Sequence, residues 1–275
     1  MATLAGTRIE QQQWPDVLSG TPRAHPIDRW IFVSMAAWFI IVILTGFIPD
    51  SLTKIAAVQA GQRPPFPLVL HLHALLMASF LLLVLAQTTL MATGRFEFHR
   101  RLGVAAFIVA AALVLVGIVL VPTMFHQTWD ALRTASGSQL EKLRHGLFIR
   151  ENIMLVQIRM GILFPLFLAI GLRARGIDAG LHKRMMMLAT AMSLPFGINR
   201  ITWLPNTFPA SFVTIDLYAL LAIAPMFIWD VVRNRRVHQA YVIWLGVNLP
   251  FAIAVYGLWG TQWWELTTRQ LMRAS

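Results

Sequence analysis

Long apolar stretches separated by short polar connections dominate the chain. A transmembrane helix takes about 20 predominantly apolar residues, and seven stretches reach that length. They lie near residues 30–48, 67–92, 102–122, 152–172, 185–204, 211–232 and 240–261. The pattern predicts an all-α integral membrane bundle of seven transmembrane helices over residues 30–262, between a polar segment at 1–29 and a tail at 263–275.

The fifth stretch is the weakest of the seven. Pro195, Asn199 and Arg200 interrupt its outer half, so a six-helix alternative stays open. Proline falls inside each of the last four stretches, where it removes a backbone donor and predicts a kink. These prolines are Pro165, Pro195, Pro225 and Pro250.

Basic residues are distributed unevenly between the two sides of the predicted bundle. Cytoplasmic loops of membrane proteins carry an excess of Lys and Arg. The connections after the second, fourth and sixth stretches hold Arg95, Arg100, Arg101, Arg173, Arg175, Lys183, Arg184, Arg233, Arg235 and Arg236. The alternating short connections hold only Lys54, Arg63 and Arg200. The pattern places the N-terminus in the cytoplasm and the C-terminus outside.

Composition supports contact with a lipid bilayer and removes several classes of function. Hydrophobic residues make up 57% of the 275 positions and charged residues 13%, against a usual charged share of about 25%. The net charge of +11 comes from short basic clusters between apolar stretches, so no nucleic-acid partner is expected. The absence of cysteine excludes disulfides, thiolate metal sites and cysteine nucleophiles.

Several sequence signatures are missing as well. Residues 1–29 lack the order of a cleaved signal peptide, so the first apolar stretch is expected to act as an uncleaved anchor. Residues 240–261 contain no Lys, which argues against a retinal protein, and no His, which argues against seven-helix zinc hydrolases. Nucleotide-binding glycine loops and common hydrolase motifs are also absent.

Two charged residues stand inside apolar stretches at similar depth. Arg159 lies about two turns below the outer end of the fourth stretch, and Asp216 lies about one turn below that of the sixth. Ionisable groups inside a bilayer are expensive and usually pair with one another. The positions predict an ion pair or a short water-bridged link, which would serve either as a structural clasp or as part of a functional site.

Further polar residues gather at the predicted outer ends of the helices. His71 and His73 point about 200° apart on one helix, so they are not expected to share a metal, and His73 is expected to face the bundle. The polar cluster expected to converge here comprises Arg159, Asp216, Asn199, Arg200, His126, His145 and Glu151. The candidate metal ligands are His71, His73, His126 and His145.

A short motif occurs twice on the predicted cytoplasmic side. Phe-His-Arg-Arg-Leu at 98–102 precedes the third stretch, and Leu-His-Lys-Arg-Met at 181–185 precedes the fifth. Duplication of a helix pair would produce this repeat. Chance, combined with the preference for basic residues on this side, is the alternative.

His99 and His182, from the two copies, are either interfacial residues beside lipid head groups or ligands of one cofactor. Two imidazoles from different helices suit a b-type haem, with Arg100 and Arg184 placed to meet its propionates. A quinone is the alternative cofactor. The cofactor-binding candidates are His71, His73, His99, His182, Arg100 and Arg184.

The motifs between residues 65 and 205 resemble those of a group of uncharacterised bacterial multi-spanning membrane proteins. In that group an early His is followed by an Arg and a His-Arg-x-Leu-Gly turn, which His71, Arg95 and residues 99–103 match. A later His-x-x-x-Met helix ending in Arg is similar to residues 182–200. The resemblance implies a multi-pass protein of the bacterial inner membrane and no particular activity. A looser similarity, to b-type membrane cytochromes, rests on histidine placement alone.

Three functions follow from these features as expectations. The first is a haem- or quinone-binding redox protein, which requires a histidine pair beside a suitable cavity. The second is a small-solute transporter, in which Arg159 and Asp216 would line a polar path. The third is a non-catalytic sensor or assembly factor that meets a protein partner through an ordered loop at 123–150.

Overall fold

The computed structural model describes residue 16, residue 18 and residues 21–273. This part of the chain folds into helices joined by turns, without strands, as the sequence predicts. The helices are α1 (Pro26–Gln59), α2 (Leu68–Ala92), α3 (Phe96–Thr134), α4 (Gly137–Ala174), α5 (Ala179–Ala191), α6 (Leu194–Ile198), α7 (Val213–Asn234), α8 (Gln239–Leu258) and α9 (Gln262–Leu271). Most of the predicted 1–29 segment lies outside the described residues.

Six of these helices are long and apolar enough to cross a bilayer: α1, α2, α3, α4, α7 and α8. Many large apolar side chains on them point outward. Leu75, Leu82, Leu115, Ile118 and Leu221 are between 60% and 65% exposed. A folded protein in water would not leave so much apolar surface uncovered. The chain is therefore a multi-pass membrane protein whose outer surface contacts lipid.

Contacts between helix termini define two ends of the bundle. At the near end, Arg233 at the close of α7 donates to Asp28 at the start of α1, at 2.8 Å. Arg29 donates to the carbonyl of Ala92, the last residue of α2, at 2.7 Å. The far end is opposite and holds the end of α1 and the start of α7. The near end corresponds to the side that the sequence predicts to be cytoplasmic.

The fifth predicted stretch, 185–204, is divided in the structure. α5 ends at Ala191 and α6 begins at Leu194, with Pro195 in its first turn. A proline is tolerated there because the first N–H groups of a helix have no intrahelical acceptor. At 13 and 5 residues, neither helix alone is long enough to cross a bilayer.

The α5–α6 pair nevertheless connects the two ends of the bundle. Arg184 in α5 donates to Asp230 at the near end, at 2.7 Å. Arg200, immediately after α6, lies 3.2 Å from Asp50 at the far end. The two short helices together therefore have contacts at both ends of the bundle.

The loop predicted at 123–150 is not a loop, and that prediction is wrong. α3 continues to Thr134 and α4 begins at Gly137, so only two residues separate them. Gly137 has a φ of 58°, which glycine adopts without steric cost. The predicted end of the third stretch at residue 122 marks where the apolar residues stop. A helix can continue beyond that point with polar residues, as α3 does. At 39 residues, α3 is about 58 Å long, longer than the roughly 30 Å hydrocarbon core of a bilayer.

The C-terminal tail, expected only as an external segment, contains α9. Thr261 caps this helix by accepting from the Trp264 amide at 3.3 Å. α9 packs on α4 because Trp264 donates to the Glu151 carbonyl at 2.7 Å and Arg269 pairs with the Glu151 carboxylate at 2.7 Å. The tail is therefore tied to the α3–α4 hairpin.

α1 and α6 approach so closely that their backbones touch. A Cβ atom on Gly46 would lie 2.0 Å from the carbonyl oxygen of Gly197. A Cβ on Gly197 would lie 2.8 Å from the Cα of Ile43. The crossing exists only because both positions lack a side chain.

Candidate functional site

The two copies of the histidine motif adopt the same local geometry at the near end. His99 Nδ1 lies 3.3 Å from the Gln87 carbonyl, and His182 Nδ1 lies 2.7 Å from the Gly171 carbonyl. A carbonyl can only accept, so each Nδ1 carries the proton and each Nε2 keeps a lone pair. In both hairpins the imidazole therefore bonds to the preceding helix, as a duplicated helix pair would require.

The two imidazoles lie at the same end of the bundle, at the starts of α3 and α5. Among the described residues, none donates a hydrogen bond to either Nε2. Gln87 adds a third free acceptor, because its Oε1 is buried without a partner. Its Nε2 lies 3.4 Å from where a Cβ of Gly103 would stand, one turn after His99. We call Gln87, His99 and His182 the near-end acceptor cluster.

Arg184, expected beside a cofactor, is instead enclosed by carboxylates. Its side chain is fully buried, and it donates to Asp230, to Asp16 and to the Gly180 carbonyl. These contacts use all five N–H groups of the guanidinium, so none is free for a propionate. Arg100, the other residue expected to meet a propionate, is exposed.

The Arg184 network also fixes the charge states of its neighbours. Burial raises the pKa of Asp16, but hydrogen bonding to Arg184 and the charge of Lys183 outweigh it and hold the pKa well below its usual range. Burial and the charge of Arg184 lower the pKa of His238 to about 4. The neutral His238 imidazole then accepts from the Ala240 amide at 3.1 Å and caps α8.

At the far end, the predicted ion pair between Arg159 and Asp216 is formed. The guanidinium donates to both carboxylate oxygens, at 2.7 and 2.6 Å. Tyr256 donates to the same carboxylate at 2.6 Å. Arg159 is 2% exposed. The three residues join α4, α7 and α8 as a clasp, and no sequence pattern predicts Tyr256 in it.

The remaining far-end residues divide into separate groups. Arg200 contacts Asn199 at 2.9 Å and Asp50 at 3.2 Å, between α6 and α1. Glu151 is paired with Arg269 of α9. Neither group shares a hydrogen bond with the Arg159 clasp among the described residues. The structure therefore does not bring the predicted outer cluster together as one site.

The candidate metal ligands are also dispersed. His71 and His145 are exposed, and His126 packs edge-on against Phe125. His73 is partly buried, and its Nδ1 has no hydrogen-bond partner. Within the described residues, no group of three or more His, Asp or Glu side chains is arranged to hold a metal ion.

Replacement of Tyr256 by phenylalanine is expected to lower the free energy of unfolding by about 1.5–3 kcal/mol, since a hydrogen bond to the Asp216 carboxylate is lost. Thermal unfolding in mild detergent measures the change. Tyr218→Phe is the matched control, because Tyr218 donates to the neutral Pro205 carbonyl at 2.6 Å and is more exposed. Equal losses in the two variants would show that the Asp216 charge does not need Tyr256.

Comparison with protein-family models, with curated proteins and with solved structures finds no match for the chain. The resemblance to the bacterial multi-spanning group rests on sequence motifs alone. Function is therefore inferred from the contacts of the described residues.

Proposed function

We propose that the chain crosses a bacterial inner membrane seven times, with its near end in the cytoplasm. The seventh crossing is the α5–α6 pair, whose contacts extend from Asp230 to Asp50. Residues 179–198 cover about 30 Å, the thickness of the hydrocarbon core. The basic residues in the near-end connections support this orientation.

We propose further that the near-end acceptor cluster binds the head group of a membrane quinol. The observation that carries this is the pair of imidazoles, each held through Nδ1 by a backbone carbonyl with Nε2 left as an acceptor. Gln87 Oε1 is a third acceptor without a donor. A buried acceptor left unpaired, as Gln87 Oε1 is, is costly, so a ligand with a hydroxyl donor stabilises this arrangement.

The chemistry of the cluster favours the reduced form of the ligand. A quinol has two hydroxyl groups, which can donate to the imidazole and amide acceptors. A quinone has only carbonyl acceptors and requires a protonated imidazole. A quinone would therefore bind to His99 and His182 only when both ring nitrogens carry a proton, a state favoured in acid.

A b-type haem fits these residues less well than a quinol. Haem needs two imidazoles that face each other across a slot as wide as the macrocycle. Arg184, expected to meet a propionate, has no free N–H group. Open grooves of about 300 and 350 Å³ lie on the surface of the described residues. The second groove, between Leu90 and Phe98, is next to His99 in sequence. It offers an apolar surface to an isoprenoid tail.

Purified protein in mild detergent is expected to bind decylubiquinol, and His99→Ala and His182→Ala are each expected to weaken binding about tenfold, because one hydrogen bond is lost. Anaerobic titration calorimetry measures the affinity, with decylubiquinone as the oxidised comparison. His145→Ala is the matched control, since His145 is exposed on α4.

Unchanged affinity in both near-end variants would overturn the quinol site. A reduced-minus-oxidised visible spectrum with iron analysis on the same sample tests the haem alternative. Sharp b-type bands that disappear in His99→Ala or His182→Ala would establish a cytochrome in place of a quinol-binding protein.

A second function, as a sensor or assembly factor, is favoured by one observation. Residues 123–150 are ordered as a helical hairpin that extends past the membrane and is braced by α9. Such a surface suits contact with an external protein. The transporter alternative has less support, because Arg159 and Asp216 are closed on each other.

A further inference from the structure

The C-terminal helix α9 has an exposed apolar side as well as the side that packs on the bundle. Trp264 and Thr268, one turn apart, are buried. Trp263 and Leu266, also one turn apart, are 61% and 50% exposed. The described part of the chain therefore leaves a tryptophan and a leucine of α9 largely uncovered.

Polar contacts show that α9 crosses α4 and does not run along it. Just before α9, the Gly260 amide donates to the side-chain oxygen of Asn152 at 2.6 Å. Trp264 donates to the Glu151 carbonyl, and Arg269 in the last turn donates to the Glu151 carboxylate, each at 2.7 Å. A helix of this length extends about 15 Å, yet these contacts from both of its ends reach only two adjacent residues of α4.

The two ends of α9 lie beside different helices. α8 ends at Leu258, and Gly260, with a φ of 71°, turns the chain away from the direction of α8. At the other end, the guanidinium of Arg269 lies over the ring of Trp129 in α3, 5.9 Å from its centre. α9 therefore extends from α8 past α4 to α3. These three helices are long and apolar enough to cross the bilayer, so a helix laid across them lies close to the plane of the membrane.

α9 meets α4 where the apolar outer surface of the bundle ends. Ile158 of α4 is 41% exposed and lies about two turns deeper than Glu151. Ile253, in the last turns of α8, is 60% exposed. In the opposite direction along α4, Lys142 and Arg144 are exposed. The position of α9 is therefore the boundary between a lipid-facing surface and a polar one.

The sides of α9 suit such a boundary. Trp263 and Glu265 are two residues apart on the helix, so their side chains point about 200° apart. Leu266 shares the side of Trp263, and Arg269 shares the side of Glu265. Tryptophan is enriched at membrane–water interfaces because its ring is apolar and its N–H group is polar. α9 thus has a packed side, an apolar side and a charged side.

We propose that α9 is an interfacial helix that inserts Trp263 and Leu266 into the lipid surface at the far end of the bundle. Helices of this kind place their apolar side about 5–10 Å into the boundary between head groups and acyl chains, with the charged side in water. Because α9 follows α8 and is hydrogen-bonded to α4, the lipid surface fixes the depth of both helices. This role is independent of the near-end acceptor cluster.

The chain contains no cysteine, so one introduced cysteine carries a nitroxide spin label at a single site. In vesicles of phosphatidylethanolamine and phosphatidylglycerol, power-saturation electron paramagnetic resonance measures collisions of the label with oxygen and with a water-soluble nickel chelate. Labels at Trp263→Cys and Leu266→Cys are expected to favour oxygen and to lie about 5–10 Å below the phosphates. The matched variant Glu265→Cys is expected to favour nickel. Leu82→Cys, 60% exposed on α2, is the lipid reference, and Lys142→Cys, exposed on α4, is the water reference.

Oxygen preference at Trp263→Cys and Leu266→Cys, with nickel preference at Glu265→Cys, supports the interfacial helix. Nickel preference at all three sites would overturn it, because α9 would then lie in water. Shielding of the Trp263→Cys and Leu266→Cys labels from both reagents would also overturn it, because a second copy or another protein would then cover this side. Leu266→Cys keeps the test decisive if Trp263→Cys disturbs the adjacent Trp264, whose ring centre lies 6.5 Å from that of Trp263.

Discussion

Replacing Arg184 by methionine is expected to lower the free energy of unfolding by about 3–5 kcal/mol, the range found when one partner of a buried ion pair is removed. Asp230 is fully buried and would keep its charge without a guanidinium. Asp16 would lose two hydrogen bonds at 2.9 and 3.0 Å. Thermal and denaturant unfolding in mild detergent, monitored by tryptophan fluorescence, measure the loss.

Two further variants distinguish an unpaired charge from simple loss of packing. Adding Asp230→Leu to Arg184→Met removes the orphaned carboxylate and is expected to restore most of the stability. Arg101→Met is the exposed control, because its pair with Glu97 has side chains 73% and 72% exposed. Its effect should stay below about 1 kcal/mol. A double variant less stable than Arg184→Met would contradict this account.

The Arg184 network and the proposed quinol site are mechanically linked. Arg184 follows His182 by two residues on α5, and its carboxylate partners come from α7 and from the segment before α1. The network therefore fixes the start of α5 relative to the rest of the bundle. The imidazole of His182 keeps its orientation because the helix that carries it is held in this way.

Apolar stretches predicted the helices well because membrane helices must be both long and apolar. The pair of Arg159 and Asp216 was also predictable, since two opposite charges at one depth inside apolar stretches have few other partners. The broken fifth helix was signalled by Pro195, although the position of the break was not. Hydropathy could not show that residues 123–150 are helical, because a helix outside the membrane carries polar residues.

Other features leave no local trace in the sequence. The sequence pattern indicates that Arg184 sets orientation or meets a haem propionate, but its partners lie 168 and 46 positions away, at Asp16 and Asp230. The free acceptor of Gln87 depends on how α2 packs against α3. Tyr256 of α8 donates to Asp216 of α7, 40 positions earlier in the chain. Such contacts depend on tertiary packing, so they cannot be predicted from the residue type and its neighbours in the sequence.

Gly46→Ala is expected to destabilise the protein by more than the roughly 1–3 kcal/mol typical of an overfilled core. The new Cβ would lie 2.0 Å from the Gly197 carbonyl oxygen, a backbone atom that no side-chain rotation can move. α1 and α6 must then separate, and the proposed α5–α6 crossing loses its support. Yield of monodisperse protein and thermal unfolding in detergent measure the effect.

Gly117→Ala in α3 is the matched control for Gly46→Ala, because nothing lies within 4 Å of the Cβ it would introduce. Alanine favours helix over glycine by about 1 kcal/mol, so this variant should be as stable as the wild type or more so. Gly197→Ala, whose Cβ would lie 2.8 Å from the Ile43 Cα, should unfold at a lower temperature than the wild type, as Gly46→Ala does. If all three variants unfold at the same temperature, α1 and α6 do not cross in contact, and the α5–α6 pair loses its place as a seventh crossing.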